Sequence, residues 1–126
     1  MILGSYSSSP HEATDYLNES FGAWGARAIR PSKASGVTLE HPNICILGNA
    51  FATPTPLYFS VGECELLYHE DVKLYEEFKA ISENKAKLEI EKAAVHDIIL
   101  VGHAVGFEKE AALAATRAGD FLKSFQ

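Results

Sequence analysis

Cysteine is scarce in this sequence, and its two copies, Cys45 and Cys64, form neither a disulfide framework nor a zinc-ligand spacing. Both read as small buried apolar residues. His11, His41, His69 and His103 stand at no metal-ligating interval from the cysteines or from one another, so neither a metal nor another cofactor is expected. Positive charge is also short. Eleven Lys and Arg against 17 Asp and Glu leave a net charge of −6, with a pI near 5.3 and no local basic cluster, which excludes nucleic acid as a partner. No apolar run approaches the roughly 18 residues of a membrane helix, and Met1-Ile2-Leu3-Gly4 lacks the basic start of a signal peptide. The expectation is a cytoplasmic chain with no membrane span. Without a secretory signal, the sequon Asn18-Glu19-Ser20 reads as chance.

What is present suits one domain of ordinary size: 126 residues, 47% of them hydrophobic, enough for a modest core. The chain divides near residue 55. Residues 1–55 are irregular, serine-rich at the start and punctuated by Pro31, Pro42, Pro54 and Pro56 at and beyond its close. Ser9-Pro10 reads as a helix N-cap followed by proline at the first helical position, which predicts a helix from Pro10 to about Ser20. Gly22 and Gly25 weaken its continuation, with Trp24 and Ile29 left to a second short turn. Residues 31–56 read as a loop, long enough to imply an excursion with a purpose.

Residues 56–126 are regular. Leu57–Val61 is a short continuous apolar run, the pattern of a buried parallel strand. From 66 to 81 the spacing turns helical, with Val72, Tyr75, Phe78 and Ile81 on one side and Lys73, Glu76, Glu77 and Lys79 facing out. Residues 86–91 alternate, Leu88 and Ile90 against Lys87, Glu89 and Glu91, as a strand with one covered face does. Phe107, Ala111, Ala114, Ala118, Phe121 or Leu122, and Phe125 form one stripe of a closing amphipathic helix. Strand, helix, strand, helix is an α/β unit with a short parallel sheet and a crossover helix.

In open parallel sheets, functional groups collect in loops beyond the carboxyl ends of the strands. Two residues stand there: Glu65, in Gly62-Glu63-Cys64-Glu65 after the first strand, and His96, in Ala94-Val95-His96-Asp97 after the second. A carboxylate beside an imidazole fixes its tautomer and stabilises the imidazolium, which frees the other nitrogen to act as general base. The bland alternative is a pair of ordinary surface residues. Glu76, Glu77, Glu108 and Glu110 read as solvated charge on helix faces.

The segment Pro56–Asp97 resembles the carboxyl-terminal part of the hormone-sensitive-lipase-like branch of the α/β-hydrolases, a family of carboxylic-ester hydrolases (esterases and lipases). In that branch an apolar strand runs into G-x-x-[DE]-x-L-x-D-[ED], and a histidine before Asp or a small residue follows a helix and a strand. Here the counterparts are Gly62-Glu63-Cys64-Glu65-Leu66-Leu67-Tyr68-His69-Glu70 and His96-Asp97. The resemblance implies Glu65 as the triad acid and His96 as the catalytic histidine, with Glu63 as the alternative acid; His69 departs from the family's second acidic residue. It fits residues 1–55 poorly, and implies there only a cap-like segment over an acyl pocket. Trp24, Phe21 and Phe51 suit such a lining, with aromatic core packing as the alternative.

The family's triad runs nucleophile, acid, histidine, with the nucleophile on a G-x-S-x-G elbow. This chain has no such elbow. Ile98 to Gly106 imitates a strand entering one, but Ala104 stands where serine must be and follows the acid and histidine instead of preceding them. Residues 98–106 are therefore expected to begin the final helical region, with His103 packed or partly exposed. The reading is a partial α/β-hydrolase fold, the carboxyl-terminal portion of a serine esterase carrying Glu65 and His96 without nucleophile or oxyanion loop, and inactive alone. The alternative is a non-catalytic truncated hydrolase module that binds a small ester-like or apolar ligand, self-associates, or pairs with another chain through an exposed sheet edge.

Overall fold

Parallel strands must be joined by a crossover, and the helical spacing that follows Leu57 supplies one. In the computed structural model, which describes residues 10–125, the order is α1 (Glu19–Ala28), β1 (Leu57–Gly62), α2 (Tyr68–Lys79), β2 (Ala86–Glu91), α3 (Ile98–Val101) and α4 (Glu108–Lys123). A single 3-10 turn, Lys33–Ser35, interrupts the long loop. β1 and β2 pair in parallel, from Leu57 opposite Ala86 to Gly62 opposite Glu91. The result is a small α/β fold whose sheet has two strands among the described residues. Among the described residues no helix is long and apolar enough to cross a membrane.

The first expected helix is displaced. Pro10 to Tyr16 forms turns, and α1 begins only after Asn18, whose Oδ1 accepts the Phe21 amide at 3.1 Å. An Asx cap therefore starts the helix, and Gly22 and Gly25 lie inside it. Ser9, the expected cap, lies outside the described residues. The turned segment is held by tertiary bonds that no local pattern announces: Thr14 Oγ1 donates to the Cys64 carbonyl at 2.9 Å, and Asp15 Oδ2 accepts the Leu66 amide at 2.7 Å.

Strand burial also departs from the pattern. Val61 and Gly62 are buried, but Leu57, Tyr58 and Phe59 are half-exposed, and the cover is deepest at the carboxyl end, where the Ala94 and Val95 backbone closes over Gly62. In β2 the alternation predicts Ile90 covered and Glu91 out; instead Ile90 is 41% exposed and Glu91 6%. Arg117 of α4 is the cause, since its guanidinium pairs with Glu91 and stands 3.5 Å from Glu89, drawing the acidic side of the strand inward. Cys45 and Cys64 are half-buried free thiols, more exposed than a small core residue.

The closing region behaves as its stripe predicts. Ile98, Ala94 and Ala114 form a small core with Phe107 packed against it, and Phe121, not Leu122, continues the stripe. α3 is a helical turn, so residues 98–101 are not a strand entering an elbow, and His103 is exposed. Gly102 lets α3 and α4 cross closely: a Cβ there would lie 2.6 Å from the Ile98 carbonyl and 2.7 Å from Ala111 Cβ. The long loop is clipped to α2 and to the connection after it by two side chains. Asn84 accepts the Thr53 amide at 2.7 Å and donates to Phe51 and Phe78 carbonyls, while Glu77, expected to be solvated, accepts the Gly48 amide at 2.6 Å.

Candidate active site

The loops after β1 and β2 meet because their strands end side by side. Cys64 donates its amide to the Ala94 carbonyl at 2.9 Å, and Glu63 and Ala94 both donate to the Glu91 carbonyl, at 2.9 and 3.2 Å. Glu63 is exposed, and its carboxylate accepts the Ala93 amide at 3.0 Å, a structural clip on a residue with φ of 54°. Glu65 points inward. It is 2% exposed, its Oε2 accepts the Gly62 amide at 3.0 Å, and the same oxygen lies 3.6 Å from His96 Nδ1. That last distance is an electrostatic contact slightly longer than a hydrogen bond. Such pairs often close only when substrate is bound.

His96 is held by more than Glu65. Its amide donates to Asp15 Oδ1 at 3.4 Å, so Asp15 ties the loop after β2 to Leu66 in the loop after β1. Asp97, in the left-handed region at φ 51°, brings Oδ2 within 3.5 Å of His96 Nε2. The imidazole thus sits between two carboxylates. Its pKa is raised, first by Glu65 against Nδ1 and further by the charges of Asp97 and Asp15, over the opposing effect of burial. Burial works to raise the Glu65 pKa, but the His96 ring beside it, the Asp71 carboxyl, the Gly62 amide and the imidazolium charge outweigh it, leaving the carboxyl below its ordinary range.

The linkage follows from those directions. A histidine with a raised folded pKa adds stability that is complete below its ordinary value near 6.5 and is lost as pH rises through the folded value; a carboxyl with a lowered one adds stability that is lost as pH falls below 4.5 through its folded value. The pair therefore stabilises the fold between those limits. Glu65→Gln removes the largest cause acting on His96, and its imidazole proton should then titrate at lower pH. An NMR titration of the His96 ring in both proteins measures this; an unchanged midpoint would assign the raised value to Asp97 and Asp15.

Beside His96 lies an open cavity of about 340 Å³, lined by Tyr16, Leu17, Asn18, Phe21, His96 and Asp97. No serine, threonine or cysteine is among those residues. Tyr16 is a poor proton donor there, its pKa raised by burial and then by the charges of Asp97, Asp15 and Glu65. Phe21 lines the cavity and Trp24 packs 5.7 Å from it, ring to ring, yet both are surface residues, at 53% and 58% exposure, so core packing does not account for them. Phe51 is equally exposed and stacks edge-on against Phe78, away from this cavity lining. Among the described residues no group of three His, Cys, Asp or Glu side chains could hold a metal ion.

Sequence reasoning named Glu65 and His96, and the fold brings them together; it missed Asp15, Tyr16 and Asp71. Asp15 lies 81 positions before His96, and only the folded backbone relates them. Asp71 did carry a signal, as an acid one turn into a helix that begins beside Glu65. The chain matches no family model, no curated protein and no solved structure, so the arrangement around Glu65 and His96 is itself the ground for a functional reading.

Proposed function

We propose that this chain contributes the acid and histidine of a carboxylic-ester hydrolase site of the α/β-hydrolase kind, with Glu65 as the orienting carboxylate and His96 as the general base. The observation that carries the reading is the geometry of one imidazole: Nδ1 against buried Glu65 Oε2 at 3.6 Å, and the ring at the wall of a cavity with apolar Leu17 and Phe21. In such a site neutral His96 takes the proton of an attacking hydroxyl at Nε2 while the oxygen adds to the ester carbonyl carbon. The imidazolium, stabilised by Glu65, then returns that proton to the departing alkoxide.

The cavity lining lacks a hydroxyl or thiol nucleophile of the Ser, Thr or Cys type, and oxyanion donors supply much of the acceleration in acyl transfer. The nucleophile and those donors belong to another segment or chain. Asp97 also opposes the base role here, because it holds Nε2 on the side where a nucleophile would approach and favours the charged ring. Docking of the missing part must displace Asp97. A cytoplasmic setting belongs to the same reading, with both thiols free.

The test is esterase assay with and without complementation. The chain alone should give no burst with a short-chain p-nitrophenyl ester, and adding a chain that carries the G-x-S-x-G half should produce turnover that His96→Ala abolishes. Turnover by the chain alone, lost in His96→Ala, would overturn the division of labour and require a nucleophile within it. Association without activity would favour the second reading, a non-catalytic module. That reading has its own support: Leu57 and Glu63 direct their amides to β2, so by the alternation of a parallel ladder Tyr58 and Ser60 present theirs at an unpaired edge.

A further inference from the structure

The buried carboxylate that faces His96 has an oxygen unaccounted for. Glu65 Oε2 is used by the Gly62 amide and by His96, but Oε1 is fully buried and receives no donor from any N–H or hydroxyl. A buried carboxylate oxygen without a donor is costly, and such groups call for a partner. Asp71, in the first turn of α2, has its carboxyl within hydrogen-bonding contact of the Glu65 carboxyl, and with Oε2 engaged by the Gly62 amide and His96 the oxygen left for it is Oε1. Two carboxylates cannot hydrogen-bond unless one of them carries a proton.

We infer that Asp71 is a positioning residue: its carboxyl holds a proton and donates it to Glu65 Oε1, so that Glu65 stays ionised, fixed in rotamer, and aimed at His96. The chain of groups is then Asp71 O–H to Glu65 carboxylate to His96 imidazolium, one negative and one positive charge with a neutral acid behind them. The allocation of the proton follows from position. Glu65 faces the imidazole and the Gly62 amide, both of which favour its anion, whereas Asp71 faces Glu65 itself.

The start of α2 favours an anion at Asp71 only weakly. Burial is the larger cause, followed by the hydrogen bond to Glu65 and its charge, and together they push the Asp71 carboxyl to about 8, against the opposing pull of His96. The other charged groups around the cluster are Glu70 on the same helix, Asp97 beside His96, and Asp15 from the amino-terminal segment, with Tyr16 neutral near the ring. Above the Asp71 midpoint a second negative charge enters the cluster and repels Glu65.

The location of the proton stands on this geometry; its value for setting a general base rests on the esterase reading. Infrared difference spectroscopy and NMR titration of His96 test it on the full chain. The wild-type protein should show a protonated side-chain carboxyl at neutral pH that ionises with a midpoint near 8. Asp71→Asn, whose amide still donates to Oε1, should remove that signal and leave the His96 midpoint as in the wild type; Asp71→Ala should remove the signal and displace the midpoint. A neutral-pH spectrum with no protonated carboxyl, or one whose signal survives Asp71→Asn, overturns the assignment. A His96 midpoint identical in all three proteins overturns the positioning role. Should Asp71→Ala not fold, the Asp71→Asn spectrum still decides the proton's place. Loss of the esterase reading leaves the carboxyl signal untouched, so the two fail separately.

Discussion

Gly62→Ala is expected to destabilise the fold by about 3 kcal/mol, the upper part of the usual range for overpacking, and to part the two loops that carry Glu65 and His96. A Cβ at Gly62 would lie 2.5 Å from the Val95 carbonyl oxygen, 2.6 Å from that of Ala94 and 2.9 Å from the Val95 carbonyl carbon. All three are backbone atoms, which cannot rotate aside as the end of a side chain can. Relief requires the loop after β2 to withdraw, and that loop is tied to the loop after β1 through Cys64 and Ala94. The same residue donates its amide to Glu65 Oε2, so the displacement also disturbs the carboxylate that faces His96. Urea unfolding should show a lower midpoint at unchanged slope, and the His96 titration should move toward its ordinary value. A loss under about 0.5 kcal/mol, the scale of a neutral surface substitution, would mean that the loops separate freely and that the close approach is not what orders the site.

Arg117→Met is expected to cost roughly 2–4 kcal/mol, because it leaves Glu91 buried beside Glu89 with no cation. Removing one partner of a buried pair typically costs about 3–5 kcal/mol, and the figure is lowered here because a third of the Arg117 side chain is exposed. Glu91 is placed so that its backbone matters as well: its carbonyl accepts the Glu63 and Ala94 amides that fold both site loops. Loss of the guanidinium that holds Glu91 in place should therefore loosen the ends of both strands. Adding Glu91→Gln to Arg117→Met removes the orphaned charge and should recover part of the loss. Thermal unfolding of the two single variants and the double variant measures this; no recovery in the double variant would assign the effect of Arg117 to the packing of its stem instead of its charge.

Local chemistry made a large part of the fold legible. The period of Val72, Tyr75 and Phe78 marks α2, found at Tyr68–Lys79, and the strand expected over 86–91 coincides with the bounds of β2. The stripe from Phe107 through Ala114 to Phe121 marks α4: Phe107 and Ala114 pack with Ala94 and Ile98, and Phe121 meets Tyr58 of β1. The first helix starts later than its sequence suggests because Ser9-Pro10 is as good a local start as Asn18, and the contest between them is settled by Thr14 and Asp15, which bond to Cys64 and Leu66 some fifty residues away. Ile90 and Glu91 exchanged their expected burial for a like reason: a long-range guanidinium outweighed alternation.

The candidate site divides along the same line. The sequence alone determined that an acid and a histidine follow successive strands, and that no serine elbow precedes them in this chain, because strand ends and elbow residues are written in consecutive positions. Only the tertiary structure decided which carboxylate faces the imidazole. Glu63 and Glu65 are two residues apart, yet one clips the Ala93 amide at the surface and the other is buried against His96. It also decided that Asp97 competes for Nε2 and that Asp15 and Asp71 belong to the cluster, since electrostatics acts through space and a low-dielectric interior, and neither distance nor burial can be read along the chain.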